Sequence, residues 1–113
     1  MPYINTTTTK KITEEERTEL TKTFGKLIEI IPGKKEAYLM LNFEDERKMA
    51  YQGDDKTDCA ILAVDILGAA DEKYMEKLSD ELAKAVNRIL GVPTERIYVK
   101  FGVYENWYCG VSK

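Results

Sequence analysis

At 113 residues, 43% hydrophobic and 33% charged, with only three prolines and seven glycines, the chain has the composition of one folded domain; this excludes a disordered or low-complexity protein. Such a chain buries about two thirds of the surface its unfolded form exposes and folds without staples. Its net charge of −3 comes from Lys and Arg interspersed among Asp and Glu, which excludes an electrostatic surface for nucleic acid.

No apolar run approaches the length of a bilayer span, and the first fifteen residues carry threonines and charges where a secretory segment carries an apolar core. A cytoplasmic protein with no membrane partner is expected, leaderless secretion being the other route open to it. Cys59 and Cys109 stand fifty residues apart and are expected as free thiols in a reducing compartment. Neither metal nor cofactor is expected.

The chain opens with Met1-Pro2-Tyr3-Ile4-Asn5. If Met1 is removed, Pro2 becomes a secondary amine, and a free α-amino group titrates at roughly 7.7 to 8.0, close to where a general base works best. If Met1 stays, Pro2 nitrogen is an amide and has no basic lone pair. The β-branched run Tyr3 to Thr9 predicts a strand, ended by Lys10-Lys11. Thr13-Glu14-Glu15-Glu16 is a capping-box pattern that starts a helix. Leu20, Phe24, Leu27, Ile28 and Ile31 form its apolar stripe, and Pro32-Gly33 ends it.

From Glu36 to Glu44 the alternation predicts a strand with Leu39, Leu41 and Phe43 on one face and Met40 and Asn42 on the other. Residues 44–56 are charged and irregular, a loop closing on Gly53-Asp54-Asp55. The run 59–67, apolar on both faces apart from Asp65, predicts another strand. Asp71 then caps a second helix with a stripe of Met75, Leu78, Leu82, Ala85, Val86 and Ile89, ended by Gly91 and Pro93. Ile97, Val99 and Phe101 alternate with Tyr98 and Lys100 in a last full strand. The tail from Tyr104 to Lys113 is expected to add a short edge strand.

A shift of 58 residues lays Leu20 over Leu78, Phe24 over Leu82, Ile28 over Val86, Gly33 over Gly91 and Leu39–Phe43 over Ile97–Phe101. Two pseudo-repeats, about 2–44 and 58–103, therefore each form a β-α-β unit with parallel strands, together one domain spanning 1–113. The fold class is α+β: a four-stranded mixed sheet with two helices on one face. Two helices cover one face only, while the 59–67 strand is apolar on both, which predicts a homo-oligomer whose sheets pack together.

These parts in this order resemble the macrophage migration inhibitory factor family of the tautomerase superfamily. The carriers are Met1-Pro2 opening a strand, Gly33-Lys34 with Tyr38 four residues on, Met49-Ala50-Tyr51, Cys59 in a strand ending at Gly68, Pro93-Thr94-Glu95-Arg96-Ile97-Tyr98, and Trp107. The resemblance implies a homotrimer that interconverts the keto and enol forms of small α-keto acids such as phenylpyruvate, with Pro2 as the base. It also implies that Lys34 pairs with the substrate carboxylate, that the backbone N–H of Leu67, or of Ile66, meets the same group, and that Tyr98 reaches the pocket from a neighbouring subunit. From the residues alone, Lys34 is an ordinary solvated lysine after a helix C-terminus, and Tyr98 is an interface aromatic. Because animal members of the family act as secreted cytokines, a receptor protein is a further possible partner, and a binding protein with weak or vestigial tautomerase activity is the alternative function.

The departures from the family pattern are specific. Lys100 stands where the family often has asparagine, adding a cation at the expected pocket rim that either favours a carboxylate more strongly or signals a changed substrate. The Cys-x-x-Cys pattern is broken, because Leu62 stands three residues after Cys59. The segment between Phe101 and Trp107 is shorter than in typical members. Tyr38, Tyr104, Trp107 and Tyr108 are expected to form an aromatic mouth or to serve packing.

Overall fold

The structure, a computed structural model, describes residues 1–111 and follows the order β1 (Pro2–Thr8), α1 (Glu14–Leu27), β2 (Met40–Glu44), β3 (Ala60–Leu67), α2 (Glu72–Leu90), β4 (Ile97–Tyr104). Short 3-10 turns at Ile28–Ile30, Glu36–Tyr38 and Thr94–Arg96 join or extend these elements.

Strand order is β2-β1-β3-β4. β1 runs parallel to β2, β3 runs parallel to β4, and the central pair β1/β3 is antiparallel. The two β-α-β units expected from the repeat are therefore joined along their first strands. Gly33 and Gly91, superposed by the 58-residue shift, both take a left-handed conformation, with φ of 85° and 78°, where a side chain is strained.

Each helix starts where its cap residue predicts, although only one cap forms its bonds. The Thr13 hydroxyl accepts from the Glu16 N–H, and the Glu16 carboxylate accepts from the Thr13 N–H, closing the capping box. Asp71 occupies the equivalent position before α2 with no side-chain cap bond.

Alternation sets the two faces of the sheet. Ile4, Leu62, Val64 and Ile66 are fully buried, and they meet Leu20, Phe24 and Ile28 of the first helical segment and Leu78, Leu82 and Val86 of the second. Leu39, Leu41, Phe43, Ile97, Val99 and Phe101 complete this side as half-buried neighbours. Burying side chains of this size contributes about 1.5–3 kcal/mol each.

The opposite face is mixed, more polar than the β3 sequence alone implies. Ile61, Ala63 and Leu67 share it with a ladder in which Asn42 Nδ2 donates to Asn5 Oδ1 at 2.9 Å, Asn5 Nδ2 to Glu44 Oε1 at 3.2 Å, and Thr7 Oγ1 to the same Glu44 oxygen at 3.0 Å. Those bonds hold the Glu44 carboxyl below the usual carboxylate range, with Arg47 adding a smaller effect.

Two expectations are corrected. The strand expected from Glu36 begins only at Met40, because Glu36–Tyr38 forms a 3-10 turn closed by the Leu39 N–H on the Glu36 carbonyl. The tail forms no edge strand over residues 105–111; β4 itself runs to Tyr104, and residues 112–113 lie outside the described part. Within the 44–56 loop, Tyr51 and Asp54 exchange two backbone bonds of 3.0 Å across Gln52 and Gly53, whose φ values of 54° and 76° are those of a tight hairpin turn.

Candidate active site around Pro2

Pro2 begins β1 and pairs with Ile66 of β3, so the amino terminus lies against the end of β3 that leads into Gly68. It is buried, and it lines a cleft of about 580 Å³ with Tyr38, Met40, Trp107, Tyr108 and Cys109. The lining is mostly apolar and aromatic. Tyr38 arrives through the 3-10 turn before β2, and Trp107 through the tail, where its ring meets Tyr104 edge-on at 6.1 Å. The Gly68 N–H donates to the Tyr104 carbonyl at 2.9 Å, tying the β3 exit to the start of that tail.

Beside Met1, which also lines the cleft, polar groups gather around the Leu67 peptide. The Leu67 N–H donates to the Met1 carbonyl at 3.1 Å, and the Leu67 carbonyl accepts from Lys34 Nζ at 2.7 Å. Lys34 is placed there by the reversal at Gly33, with its own N–H on the Ile31 carbonyl at 3.0 Å. Burial lowers the α-amine of Met1 below its ordinary value, and the Lys34 ammonium lowers it further. Both effects disfavour positive charge at this end of the chain, which favours an amine with a free lone pair.

The structure thus links Met1, and with it Pro2, to Lys34 through the Leu67 peptide, and sets Tyr38 and Trp107 in the adjoining cleft. Ile66 contributes differently: its side chain is fully buried in the core, and only its backbone faces Pro2. Tyr98 and Lys100 do not join the cluster within one chain. They pair with Ile61 and Ala63, five and three residues along β3 from Ile66, or roughly 16 and 10 Å at 3.3 Å per residue. Both are exposed on the sheet face away from the helices.

Sequence reasoning passed over the Met1 carbonyl and Cys109. The first carries no side-chain signal, and the second reads as an ordinary tail residue. A further hollow of about 570 Å³, at the far end of β1, is lined by Thr9, Arg47, Lys48, Asp55 and Lys56. Its exposed charges, several already paired at the surface, make it a poorer candidate than the apolar cleft. Among the described residues no group of three or more Cys, Asp or Glu is arranged to hold a metal, and no helix is long and apolar enough to cross a membrane.

Two β-α-β repeats joined by an antiparallel pair, with an aromatic cleft beside Pro2, have the architecture of the tautomerase class of domain. The family model for macrophage migration inhibitory factor matches residues 1–112, and the chain belongs to that family. Among solved structures, MIF2 of Leishmania major is 25% identical with a TM-score of 0.88, covering 98% of this chain and 93% of its own. The factor of Toxoplasma gondii is 25% identical with a TM-score of 0.86 and 96% coverage of both chains. A more distant protein, Pt0534, was crystallised after inactivation by 2-oxo-3-pentynoate; it shares the fold at 17% identity and a TM-score of 0.83, covering 97% of this chain and 91% of its own. No curated protein matches the chain in sequence.

Proposed function

We propose that the protein is a keto-enol tautomerase acting on a small α-keto acid of the phenylpyruvate kind, with the Pro2 secondary amine as general base once Met1 has been removed. The observation that carries this reading is the Leu67 peptide beside Pro2, whose N–H holds the Met1 carbonyl and whose carbonyl holds Lys34 Nζ. Removal of Met1 exposes the Pro2 nitrogen and frees the Leu67 N–H in one step. An ammonium and a free backbone donor then flank the position where a substrate carboxylate has its strongest partners.

In the reaction, neutral Pro2 takes a proton from the carbon next to the ketone while the carbonyl oxygen gains electron density. The same proton returns to that oxygen, giving the enol with no net change in atoms. Burial and the Lys34 charge, which lower the α-amine of Met1 at this end of the chain, act in the direction that suits a neutral base, and a base of this kind contributes about 10²- to 10⁴-fold. The aromatic lining by Tyr38 and Trp107 suits a substrate tail with a ring. Inactivation of the related Pt0534 by 2-oxo-3-pentynoate, itself an α-keto acid, is in keeping with this substrate class.

The assembly proposed is a homotrimer in which Tyr98 and Lys100 of one subunit complete the cleft of the next, since neither reaches Pro2 of its own chain. Phenylpyruvate enolisation measured for the wild type, Pro2→Gly and Lys34→Ala tests the reading. The expected losses fall on both variants; equal rates in all three sink it.

A further inference from the structure

Outside the cleft, the most completely engaged charged group described is the Arg96 guanidinium. Its side chain is 10% exposed and is surrounded by the 51–58 loop. Nε donates to the Asp58 carbonyl at 3.1 Å and Nη1 to the Tyr51 carbonyl at 3.2 Å, while Nη2 donates to the Asp54 and Thr57 carbonyls, each at 3.0 Å. Asp54 Oδ2 lies 3.6 Å from Nη1. The loop has almost no apolar core of its own, so these carbonyls take their shape from one fork of donors.

Arg96 also reaches the aromatic pair that flanks it. Its guanidinium carbon lies 5.2 Å from the centre of the Tyr51 ring, within cation–π range. The Tyr51 ring in turn stands edge-on to the Tyr98 ring, with centres 5.1 Å apart and planes at 87°. Tyr98 is 56% exposed, and the Tyr51 ring is the aromatic contact that limits where its own ring points.

We propose that Arg96 is a positioning residue for the reaction: by folding the 51–58 loop it holds Tyr51 against Tyr98 and so sets the angle at which Tyr98 enters the neighbouring subunit's cleft. The proposal rests on the tautomerase reading for its consequence, and on the packing geometry for its link. Lysine keeps the charge at position 96 and cannot serve four carbonyls from one plane, so Arg96→Lys loosens the loop without removing the cation. Displacing a positioned group by about 1 Å costs up to about 10²-fold in rate.

The test uses the full assembled protein and two readouts. In the first, 3-fluorotyrosine replaces Tyr98, and its fluorine resonance is compared in the wild-type, Arg96→Lys and Tyr51→Leu backgrounds. A shifted and broadened signal in both variants is expected, and an unchanged signal in either overturns the link. Tyr51→Leu keeps the guanidinium and its carbonyls, so it decides the matter if Arg96→Lys fails to fold.

In the second readout, phenylpyruvate turnover is followed for Arg96→Lys, Tyr98→Ala and the double variant. The expected result is a fall in kcat/KM through KM, an unmoved acid limb of the pH profile, and a double variant no worse than Tyr98→Ala. Losses that multiply overturn the proposal. Turnover that survives Pro2→Gly undiminished removes the tautomerase reading instead, and the fluorine signal still decides whether Arg96 governs Tyr98.

Discussion

The Leu67 N–H donates to the Met1 carbonyl at 3.1 Å, while the Leu67 carbonyl accepts from Lys34 Nζ at 2.7 Å. One peptide position thus connects the residue that blocks Pro2 to the cation beside it. Retained Met1 ties up both the nitrogen and the backbone donor, so the Met1-bearing form is expected to be inactive. Intact-mass measurement paired with enolisation assays on fractions of differing Met1 content tests this, with activity expected to follow the processed fraction linearly.

Lys34→Ala removes the cation held on the Leu67 carbonyl beside the amino terminus. Loss of a charge-assisted contact to a carboxylate is expected to lower kcat/KM by about 10- to 100-fold. The sign of the accompanying pH effect follows from charge. Without Lys34 the protonated amine is less disfavoured, its pKa rises, and the acid limb of the kcat/KM profile moves to higher pH. A limb that stays in place, or moves down, contradicts the role of Lys34 in tuning the base.

Tyr98 and Lys100 stand too far from Pro2 in their own chain to serve it, so catalysis is expected to need residues from two subunits. Pro2→Gly and Tyr98→Ala, each impaired alone, are expected to regain activity when unfolded together and refolded, because some hybrid sites then hold intact Pro2 and intact Tyr98. Sedimentation of the wild type is expected to show three chains per particle. A monomeric particle with full activity contradicts the shared site.

The Thr6 hydroxyl lies fully buried on the helix-facing side of β1 with no hydrogen-bond partner among the described residues. An unpaired buried hydroxyl costs about 1–3 kcal/mol, and valine keeps the branched shape and the strand preference. Thr6→Val is expected to stabilise the fold by about 1 kcal/mol, read as a higher urea midpoint at an unchanged slope.

Asp54 is lowered from 3.8 to about 2, first by the Thr57 side chain, then by the backbone N–H groups of Lys56 and Thr57, with Arg96 contributing less. A carboxylate with a depressed folded pKa lends stability that is fully present above its unfolded value and is lost as pH falls through the folded one. The 51–58 loop is therefore expected to loosen between about pH 4 and about pH 2. Amide exchange at Lys56 and Thr57 reads this directly, and Asp54→Asn is expected to flatten the dependence.

Much of the architecture was legible in sequence because its causes are local. Thr13 and Glu16 name their helix start by reciprocal bonds, and the apolar stripes of α1 and α2 follow the helical period. Gly33 and Gly91 mark equivalent reversals. Local pattern misled at two places. The alternation of 36–44 continued through a 3-10 turn, since three residues can alternate without a strand partner, and the aromatic tail offered β-prone residues that the structure leaves unpaired over 105–111.

The sequence by itself determined the repeat, the parallel pairing within each unit, and the presence of a proline able to become an amine. Only the tertiary structure decided who meets it. The Met1 carbonyl and the Leu67 N–H lie far apart along the chain and are brought together by the antiparallel β1/β3 pairing, Lys34 joins them from the reversal at Gly33, and Tyr98 is carried away along β4. Periodicity reports which way a side chain faces; register between distant strands decides which groups lie within bonding distance, and that register is set by the core as a whole.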